Sequence, residues 1–329
     1  MRIRHLAVII LGWCAFVGVQ AQREYAIAIH GGAGSTEGVE NDPERAAAYY
    51  AALDSALTIG DKLLAEGADG EKVVIAVVNY LENNPMFNAG KGATVAADGT
   101  FQLDAAIMLG KDLSAGSVAG VKTIKNPITA AYTVMTKSEH VMLSGEGADQ
   151  FAAEQGLDIV DNMYFATPRT MRWVEQFKAE SKKNGTVGCV VRDKHGNLVA
   201  GTSTGGMLRK SWGRIGDAPI IGAGTYADNE SCAVSCTGHG EYFIRHAVAF
   251  NLCARYKYLH ETVEDAADFI IHRELKPDAG SGGLIAVDKD GNIAMPFNSG
   301  GMFRGFVYKD KKSDKIVKQI AIAKIIKKY

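Results

Sequence analysis

The chain is poor in proline, cysteine and tryptophan, and its charges nearly cancel. Its 329 residues include 7 Pro, 5 Cys and 3 Trp, with 36 basic against 37 acidic residues and a net charge of −1. This balance argues against a nucleic-acid partner, which would select a basic surface. Scarce proline beside 37 glycines suits tight turns rather than disorder. With 47% hydrophobic residues, the composition is that of a globular protein with a sizeable core.

The cysteines and histidines show no metal-binding pattern. No C-x-x-C pair occurs, and no His/Cys cluster has the spacing of metal ligands. Cys232 and Cys236 lie on one predicted strand, about 13 Å apart when extended. That distance is too long for a disulfide. We therefore predict that Cys189, Cys232, Cys236 and Cys253 are buried free thiols, and that catalysis uses no metal or other cofactor.

Long hydrophobic runs are also missing, except at the N-terminus. Arg2 and Arg4 precede an almost wholly apolar stretch from Leu6 to Val19, and Val19-Gln20-Ala21 fits a small-residue cleavage site. The stretch is several residues too short to span a bilayer. Residues 1–21 are therefore predicted to be a signal peptide. The mature protein would be exported, periplasmic or secreted, without stable membrane contact.

Capping and turn residues divide the remaining chain into helices and strands. Asp42-Pro43 predicts a helix start, with an N-cap followed by proline in the first turn. One helix is predicted from Glu241 to Tyr256, and another from Val263 to Leu275. Turn sequences around Gly196 and Gly291 each separate two strand patterns. Strands, then helices, then strands in each half favour a layered α+β fold without a domain linker.

The most informative residue is Thr186, which follows Gly185 where a polar stretch gives way to a strand pattern. Cleavage between them would make Thr186 an N-terminus. Its α-amino group would have a pKa of about 7.7–8.0 and would be substantially neutral near pH 7. Such an amine can accept the proton of the adjacent hydroxyl and activate it as a nucleophile. Gly185 lacks a Cβ and tolerates the backbone distortion that attack on its carbonyl requires.

Thr186 acquires its significance from the motifs around it, because a Gly-Thr pair alone is common. Glycine- and threonine-rich motifs occur in a fixed order along the chain: Ile29–Gly34, Phe87–Gly90, Leu103–Ala105, Gly201–Gly206, Gly213–Asp217, Ser235–Gly240 and Phe297–Met302. Together they resemble the plant-type asparaginase/isoaspartyl peptidase family of N-terminal-nucleophile hydrolases. The resemblance covers essentially the whole chain after the predicted signal peptide.

The resemblance implies a fold and a self-activation step. The fold would be a four-layer αββα sandwich, two antiparallel sheets between helical layers. The Thr186 hydroxyl would attack the Gly185 carbonyl, leaving an α subunit (residues 22–185) and a β subunit (residues 186–329). Two such αβ pairs would form a dimer of heterodimers.

It also implies roles for individual residues in hydrolysis. Thr186 would be the nucleophile and Thr204 would orient it, while the Thr237 hydroxyl and the Gly238 N–H would form an oxyanion hole. Arg214 and Asp217 would bind the α-carboxylate and the α-ammonium of an aspartyl group, because a guanidinium and a carboxylate match those charges.

The substrates implied are small molecules or short peptides with a free α-aminoacyl head, namely L-asparagine or N-terminal isoaspartyl peptides. Gly240 and Asn88 would also line the substrate site. Backbone carbonyls near Leu81–Phe87 would hold a structural sodium ion. His30, His195 and His239 receive no catalytic role.

Three alternatives stay open at this point. Glycosylasparaginases are related, but they usually carry aspartate where this chain has Gly185. Gly201–Gly205 also matches a G-x-S-x-G nucleophile elbow, with Ser203 as the nucleophile of an α/β-hydrolase. An exported amino-acid-binding protein would use Arg214 and Asp217 without chemistry. The lysine-rich C-terminal run from Lys309 to Tyr329 predicts an extra edge strand.

Overall fold

A computed structural model describes residues 23–175, 185–276, 280–323 and 325–328. The predicted signal peptide lies outside these residues. Nine α-helices occur in the described part: α1 Glu37–Glu40, α2 Pro43–Ala65, α3 Gly70–Asn83, α4 Pro127–Lys137, α5 Gly145–Glu154, α6 Pro168–Glu175, α7 Gly240–Arg245, α8 Val248–Leu259 and α9 Val263–Phe269. Short 3₁₀ segments lie at Gly90–Gly92 and Asn162–Phe165, and a π-turn at Ile270–Glu274.

The strands form two sheets. They are β1 Arg23–Gly34, β2 Leu103–Leu109, β3 Ala115–Val121, β4 Met142–Ser144, β5 Val187–Arg192, β6 Leu198–Thr204, β7 Thr225–Ala227, β8 Cys232–Gly238, β9 Gly282–Asp288, β10 Ile293–Ala294, β11 Gly301–Asp310, β12 Ile316–Ile322 and β13 Ile325–Lys328. The large sheet has the order β13-β12-β11-β1-β5-β6-β2-β3-β4, and the small sheet β10-β9-β8-β7. Neighbouring strands are antiparallel, except that β3 and β4 are parallel.

The elements stack in four layers, as the resemblance implied. Helices α2, α3 and α4 pack on one face of the large sheet, and the small sheet packs on the other. Helices α8 and α9 cover the far face of the small sheet. Strands β1, β5 and β6 are buried along nearly their whole length because they are covered on both faces. The predicted α+β sandwich is confirmed.

Local signals located some boundaries and missed others. The Asp42 side chain accepts from the Arg45 N–H at 3.0 Å and caps α2 as predicted. The single helix predicted from Glu241 to Tyr256 is wrong, because the chain breaks at Ala247 (φ 45°) into α7 and α8. The break leaves N–H groups of α8 to bond the carbonyls of a loop before β7. The helix predicted from Val263 to Leu275 is confirmed in extent, with an α-helix to Phe269 that continues as a π-helix to Glu274.

Two further predictions concern the cysteines and the C-terminus. All four cysteines of the described residues are buried and free, as predicted. The C-terminal run forms two strands, β12 and β13, rather than one, and they extend the large sheet beyond β11. Lys318 of β12 donates to the Asp54 carbonyl and the Thr58 hydroxyl of α2. Within the described residues, none of the helices combines the length and apolarity needed to cross a membrane.

Candidate active site

The predicted catalytic residues lie where four strand ends meet between the sheets. Thr186 immediately precedes β5, Thr204 ends β6, and Thr237 and Gly238 end β8 of the small sheet. The end of β1 completes the group, because its Ala33 N–H donates to Thr237 Oγ1 at 3.1 Å across the two sheets. One strand from the small sheet therefore reaches the same point as three from the large sheet.

The hydroxyl of Thr186 donates to Thr204, and each hydrogen bond of the Thr204 hydroxyl has a defined donor and acceptor. Thr204 Oγ1 accepts from Thr186 Oγ1 at 3.2 Å and from the Gly206 N–H at 2.8 Å. Its own hydrogen is donated to the Gly185 carbonyl at 2.9 Å. A hydroxyl has one hydrogen, so Thr204 joins the Thr186 hydroxyl to the carbonyl oxygen of the bond before it.

Asn88 supplies a second donor to the Gly185 carbonyl. Its Nδ2 donates to that oxygen at 2.7 Å and to the Gly206 carbonyl at 2.8 Å. Its Oδ1 accepts from the Thr94 N–H at 2.8 Å, which fixes the amide orientation. A Cβ on residue 185 would come within 3.0 Å of the Asn88 Cβ. Glycine at 185 therefore permits the close approach of Asn88 to this carbonyl.

His30, which sequence reasoning left structural, anchors the backbone of Thr186. It is fully buried, and its Nδ1 lies 3.1 Å from the Thr186 carbonyl oxygen. A carbonyl only accepts, so Nδ1 carries the proton and Nε2 accepts from the Ser235 hydroxyl at 3.0 Å. Burial lowers the pKa of His30 to about 3 and keeps the ring neutral. Ser235 in turn pairs with Thr202 at 2.7 Å, extending the network into β6.

Two glycines permit close backbone approaches, Gly32 beside the Gly185–Thr186 bond and Gly238 beside Ser281. Gly32 has φ +109°, and a Cβ there would lie 3.2 Å from the Gly185 Cα and 3.3 Å from the Thr186 nitrogen. Gly238 has φ +152°, and a Cβ there would meet the Ser281 carbonyl at 2.4 Å. Both positions therefore require glycine for the backbone to pass so closely.

The predicted oxyanion-hole residue Thr237 is oriented by β1. Its side chain is fully buried, and its Oγ1 accepts the Ala33 N–H. Since the oxygen accepts that bond, its own hydrogen can point elsewhere, toward an incoming oxyanion. Gly238 follows directly and borders the same small cavity as Thr186.

Arg214 does not pair with Asp217. Its Nε and Nη2 donate to the two carboxylate oxygens of Glu241, both at 2.9 Å. This bidentate pair was not anticipated from the sequence. Glu241 is 52% exposed at its side chain and Arg214 19%, so solvent reaches the carboxylate more than the guanidinium.

Asp217, unlike Arg214, is buried and has a carboxylate oxygen that is not hydrogen-bonded within the described residues. It is 5% exposed, and its Oδ2 lacks a hydrogen-bond partner within the described part of the chain. Burial raises the pKa of Asp217 to about 6, and the charge of Arg214 opposes the rise. A buried carboxylate oxygen without a donor calls for a ligand that can donate. A Cβ on Gly240 would lie 2.8 Å from Asp217 Oδ1 and 2.9 Å from Arg214 Nη2. Glycine at this position therefore leaves both side chains accessible to a ligand.

Two cavities meet at Gly185. The smaller, about 10 Å³, is bordered by Thr186, Thr204, Arg214, Asp217 and Gly238. It offers room for about one water molecule. The larger, about 980 Å³, lies beyond Gly185 and Gly238 and is bordered by β1, α2 and the loop before β11. In the uncut chain the predicted head-group pocket is therefore almost filled, and Gly185 separates it from the larger space.

The segment predicted to hold sodium is a compact loop. Its Leu81 carbonyl accepts from the Asn84 N–H, and Arg169 donates to the Pro85 and Met86 carbonyls at 3.0 and 2.8 Å. The Glu82 carbonyl faces Gly90 so closely that a Cβ there would lie 2.4 Å away. Carbonyl oxygens suit a hard cation, so the donor set fits sodium in kind. No group of three or more His, Cys, Asp or Glu residues able to hold a metal occurs in the described residues.

Ser203 does not have the setting of a nucleophile elbow. It is fully buried on β6, between Thr202 and Thr204, and no helix follows the strand. An elbow needs a strand, a sharp turn and a helix that expose its serine. The α/β-hydrolase alternative is therefore wrong.

The chain is similar over most of its length to known proteins. A family model described as asparaginase matches residues 23–317. An isoaspartyl peptidase of Salmonella typhimurium is 46% identical over 86% of this chain and 95% of its own length. One from Escherichia coli is 43% identical, over 86% and 92%. The human isoaspartyl peptidase/L-asparaginase is 40% identical, over 84% and 91%.

Proposed function

Since the chain belongs to the asparaginase family, we propose that it is a threonine hydrolase that cuts its own Gly185–Thr186 bond and then cleaves β-aspartyl bonds. Its substrates would be L-asparagine and peptides with an N-terminal isoaspartyl residue. The observation that carries the proposal is the hydrogen-bond path from the Thr186 hydroxyl through Thr204 to the Gly185 carbonyl.

Self-cleavage follows from this arrangement as an N-to-O acyl shift. The Thr186 oxygen attacks the Gly185 carbonyl carbon, and its proton passes toward Thr204. Negative charge develops on the carbonyl oxygen, where Thr204 and Asn88 already donate. The C–N bond then breaks, and the proton that left the Thr186 hydroxyl ends on the nitrogen, which becomes the free amine of Thr186. Water hydrolyses the resulting ester, releasing the Gly185 carboxylate and restoring the hydroxyl.

Substrate hydrolysis repeats the chemistry on an external carbonyl. The α-ammonium of the substrate would donate to the unpartnered oxygen of Asp217, and its α-carboxylate would meet Arg214. The free amine of Thr186 would take the hydroxyl proton, and the hydroxyl oxygen would attack the β-carbonyl to form an acyl-enzyme. Thr237 and Gly238 would stabilise the oxyanion. The leaving amine departs with a proton, and water then releases aspartate.

The names of the relatives favour isoaspartyl peptides and asparagine over glycosylasparagine. Gly185 points the same way, because glycosylasparaginases usually have aspartate there. The close approach of Asn88 explains the preference for glycine, since a side chain would displace it. A binding protein without chemistry would not need the path from Thr186 to the carbonyl before it.

The test is the intact mass of purified wild type beside Thr186→Ala after incubation without added protease. Two fragments that divide between Gly185 and Thr186, in the wild type alone, support self-cleavage. Release of ammonia from asparagine and of the peptide from an isoaspartyl dipeptide then tests the activity. A wild type that stays one chain and hydrolyses neither substrate contradicts the proposal.

We also carry forward three proposals about the setting of the enzyme. Two αβ pairs would assemble into a dimer of heterodimers, which light scattering of the cut protein would measure. A structural sodium ion would be held by backbone carbonyls near Leu81–Phe87, and thermal stability would then rise more in sodium than in potassium. Export after removal of residues 1–21 would be read from the N-terminal sequence of the α subunit.

A further inference from the structure

The larger of the two cavities at Gly185 has no role in the chemistry proposed so far. It shares Gly185 and Gly238 with the smaller, head-group cavity. A substrate whose amino-acid head lies beside Asp217 has its β-carbonyl at Thr186, between the two spaces. The group attached to that carbonyl therefore extends toward the larger cavity. This step rests on the proposed function.

The larger cavity is positively charged. Arg45 and Arg169 border it, and the described residues of its wall include no aspartate or glutamate. Burial lowers the pKa of Arg169, Tyr49 opposes this shift, and the positive charge of Arg45 adds to it. In the uncut chain, the described part of the wall therefore carries two cations and no acidic side chain, a balance that favours an anionic group.

The two arginines differ in how they are held. Arg169 donates to the carbonyls of Pro85, Met86 and Gly92 at 2.8–3.2 Å, which fixes it as part of the loop. Arg45 is exposed in the first turn of α2, and its guanidinium makes one long hydrogen bond, 3.3 Å, to the Gly38 carbonyl. A cation in the first turn of a helix opposes the macrodipole, so its position is not explained by helix stability.

Two aromatic rings on the wall of the larger cavity offer a surface on which a peptide can pack. Tyr49 stacks on Phe303 with ring centroids 4.3 Å apart, and both rings border the space. The cavity volume of about 980 Å³ far exceeds what ammonia needs and leaves room for one or two amino-acid residues.

We propose that this cavity binds the peptide leaving group of an isoaspartyl substrate and that Arg45 recognises its C-terminal carboxylate. A guanidinium binds a carboxylate through two parallel hydrogen bonds. L-Asparagine releases only ammonia and never reaches Arg45. The cavity thus selects peptides with a free carboxyl terminus near the isoaspartyl residue over their amides.

The experiment compares Arg45→Ala, Arg45→Lys and Lys62→Ala with the wild type. Lys62 is exposed on the same helix, roughly 25 Å from Arg45 at 1.5 Å per residue, and its loss removes the same charge. Each cut protein is assayed with isoaspartyl-leucine, its C-terminal amide and L-asparagine. Arg45→Ala should raise the KM for the acid about fivefold to tenfold with kcat unchanged.

The other variants and substrates test whether the effect depends on Arg45 and on the substrate carboxylate. The KM values of Arg45→Ala for the amide and for asparagine should stay within about twofold of wild type. Arg45→Lys should have a KM for the acid between those of wild type and Arg45→Ala. Lys62→Ala should leave all three KM values unchanged. Equal effects on acid and amide, or no effect on either, would overturn the role of Arg45. Failure of the wild type on both asparagine and the peptides would instead remove the proposed function itself.

Discussion

The two halves of the candidate site differ in how completely their polar groups are paired. Around Thr186, Thr204 and Asn88, hydroxyl, amide and carbonyl groups are hydrogen-bonded within the chain. Around Asp217, a buried carboxylate oxygen has no donor in the described residues, and the nearby Arg214 forms an ion pair with the partly exposed Glu241. The first half is organised to act on its own chain, and the second half is organised to receive a ligand.

The difference separates two chemistries that use one nucleophile. Self-cleavage needs no recognition, because Gly185 is covalently present, so its donors can be fixed in advance. Substrate binding needs charged groups whose pairing improves when the ligand arrives. Variants in one half should therefore affect self-cleavage, and variants in the other should affect binding and stability.

The largest effect is expected for Thr204→Val, which keeps the shape of the side chain and removes the hydroxyl. The Gly185 carbonyl loses a donor, and Thr186 loses the acceptor that orients it. Loss of one oxyanion donor costs about 10²–10³ in rate, so self-cleavage should slow by at least that factor. The fragment ratio over time on denaturing gels measures it. Thr204→Ser, which retains the hydroxyl, should remain within about tenfold of wild type.

Asp217→Asn should act on the other half alone. The isosteric amide lacks the negative charge that attracts an ammonium, so kcat/KM for asparagine should fall about 100-fold, mainly through KM. Self-cleavage should proceed at the wild-type rate, because Asp217 takes no part in the path through Thr204. Fragment formation and ammonia release on the same preparation measure both. Slow self-cleavage in this variant would show that the two halves are coupled.

Much of the first half could be predicted from the sequence because its geometry is local or carried by motifs. Thr186 and Thr204 flank one hairpin, β5–β6, whose turn signal is clear. The role of His30 could not be predicted, since it lies 156 residues from its partner Thr186 and a histidine on a strand has no local signature.

The second half depends on contacts that no short segment encodes. Glu241, which pairs with Arg214, lies in the first turn of α7. That helix begins one residue earlier than expected and ends at Arg245, before the break at Ala247. That break is compensated by the carbonyls of Gly222 and Ala223, which accept from α8. Sequence patterns specify helix-forming residues, whereas the interruption follows from the tertiary partner.

Asp217→Asn should also stabilise the folded protein, and this effect should be smaller than its effect on binding. Burial raises the pKa of Asp217 from 3.8 to about 6, so its ionised form destabilises the fold by about 3 kcal/mol at pH 7. The folded state holds the proton more tightly than the unfolded state. The native protein therefore gains stability as the pH falls from about 6 to 4.

Asparagine at position 217 should remove this cost, and the free energy of unfolding at pH 7 should rise by about 1–3 kcal/mol. The advantage should shrink below pH 6 and vanish near pH 4. Urea unfolding of Asp217→Asn in the uncut Thr186→Ala background measures it, with Thr186→Ala alone as the control. A pH-independent difference would assign the change to packing rather than to ionisation.

The smallest effect is expected for Glu241→Gln. A partly exposed ion pair contributes under about 1 kcal/mol, and the incoming α-carboxylate has to share or replace it. Glutamine keeps one acceptor for Arg214 and the shape of α7 but removes the competing charge. The KM for asparagine should therefore fall about twofold to threefold with kcat unchanged, measured by steady-state ammonia release. A rise in KM would mean that Glu241 holds the guanidinium in its binding orientation, so that both halves of the site are organised before the ligand arrives.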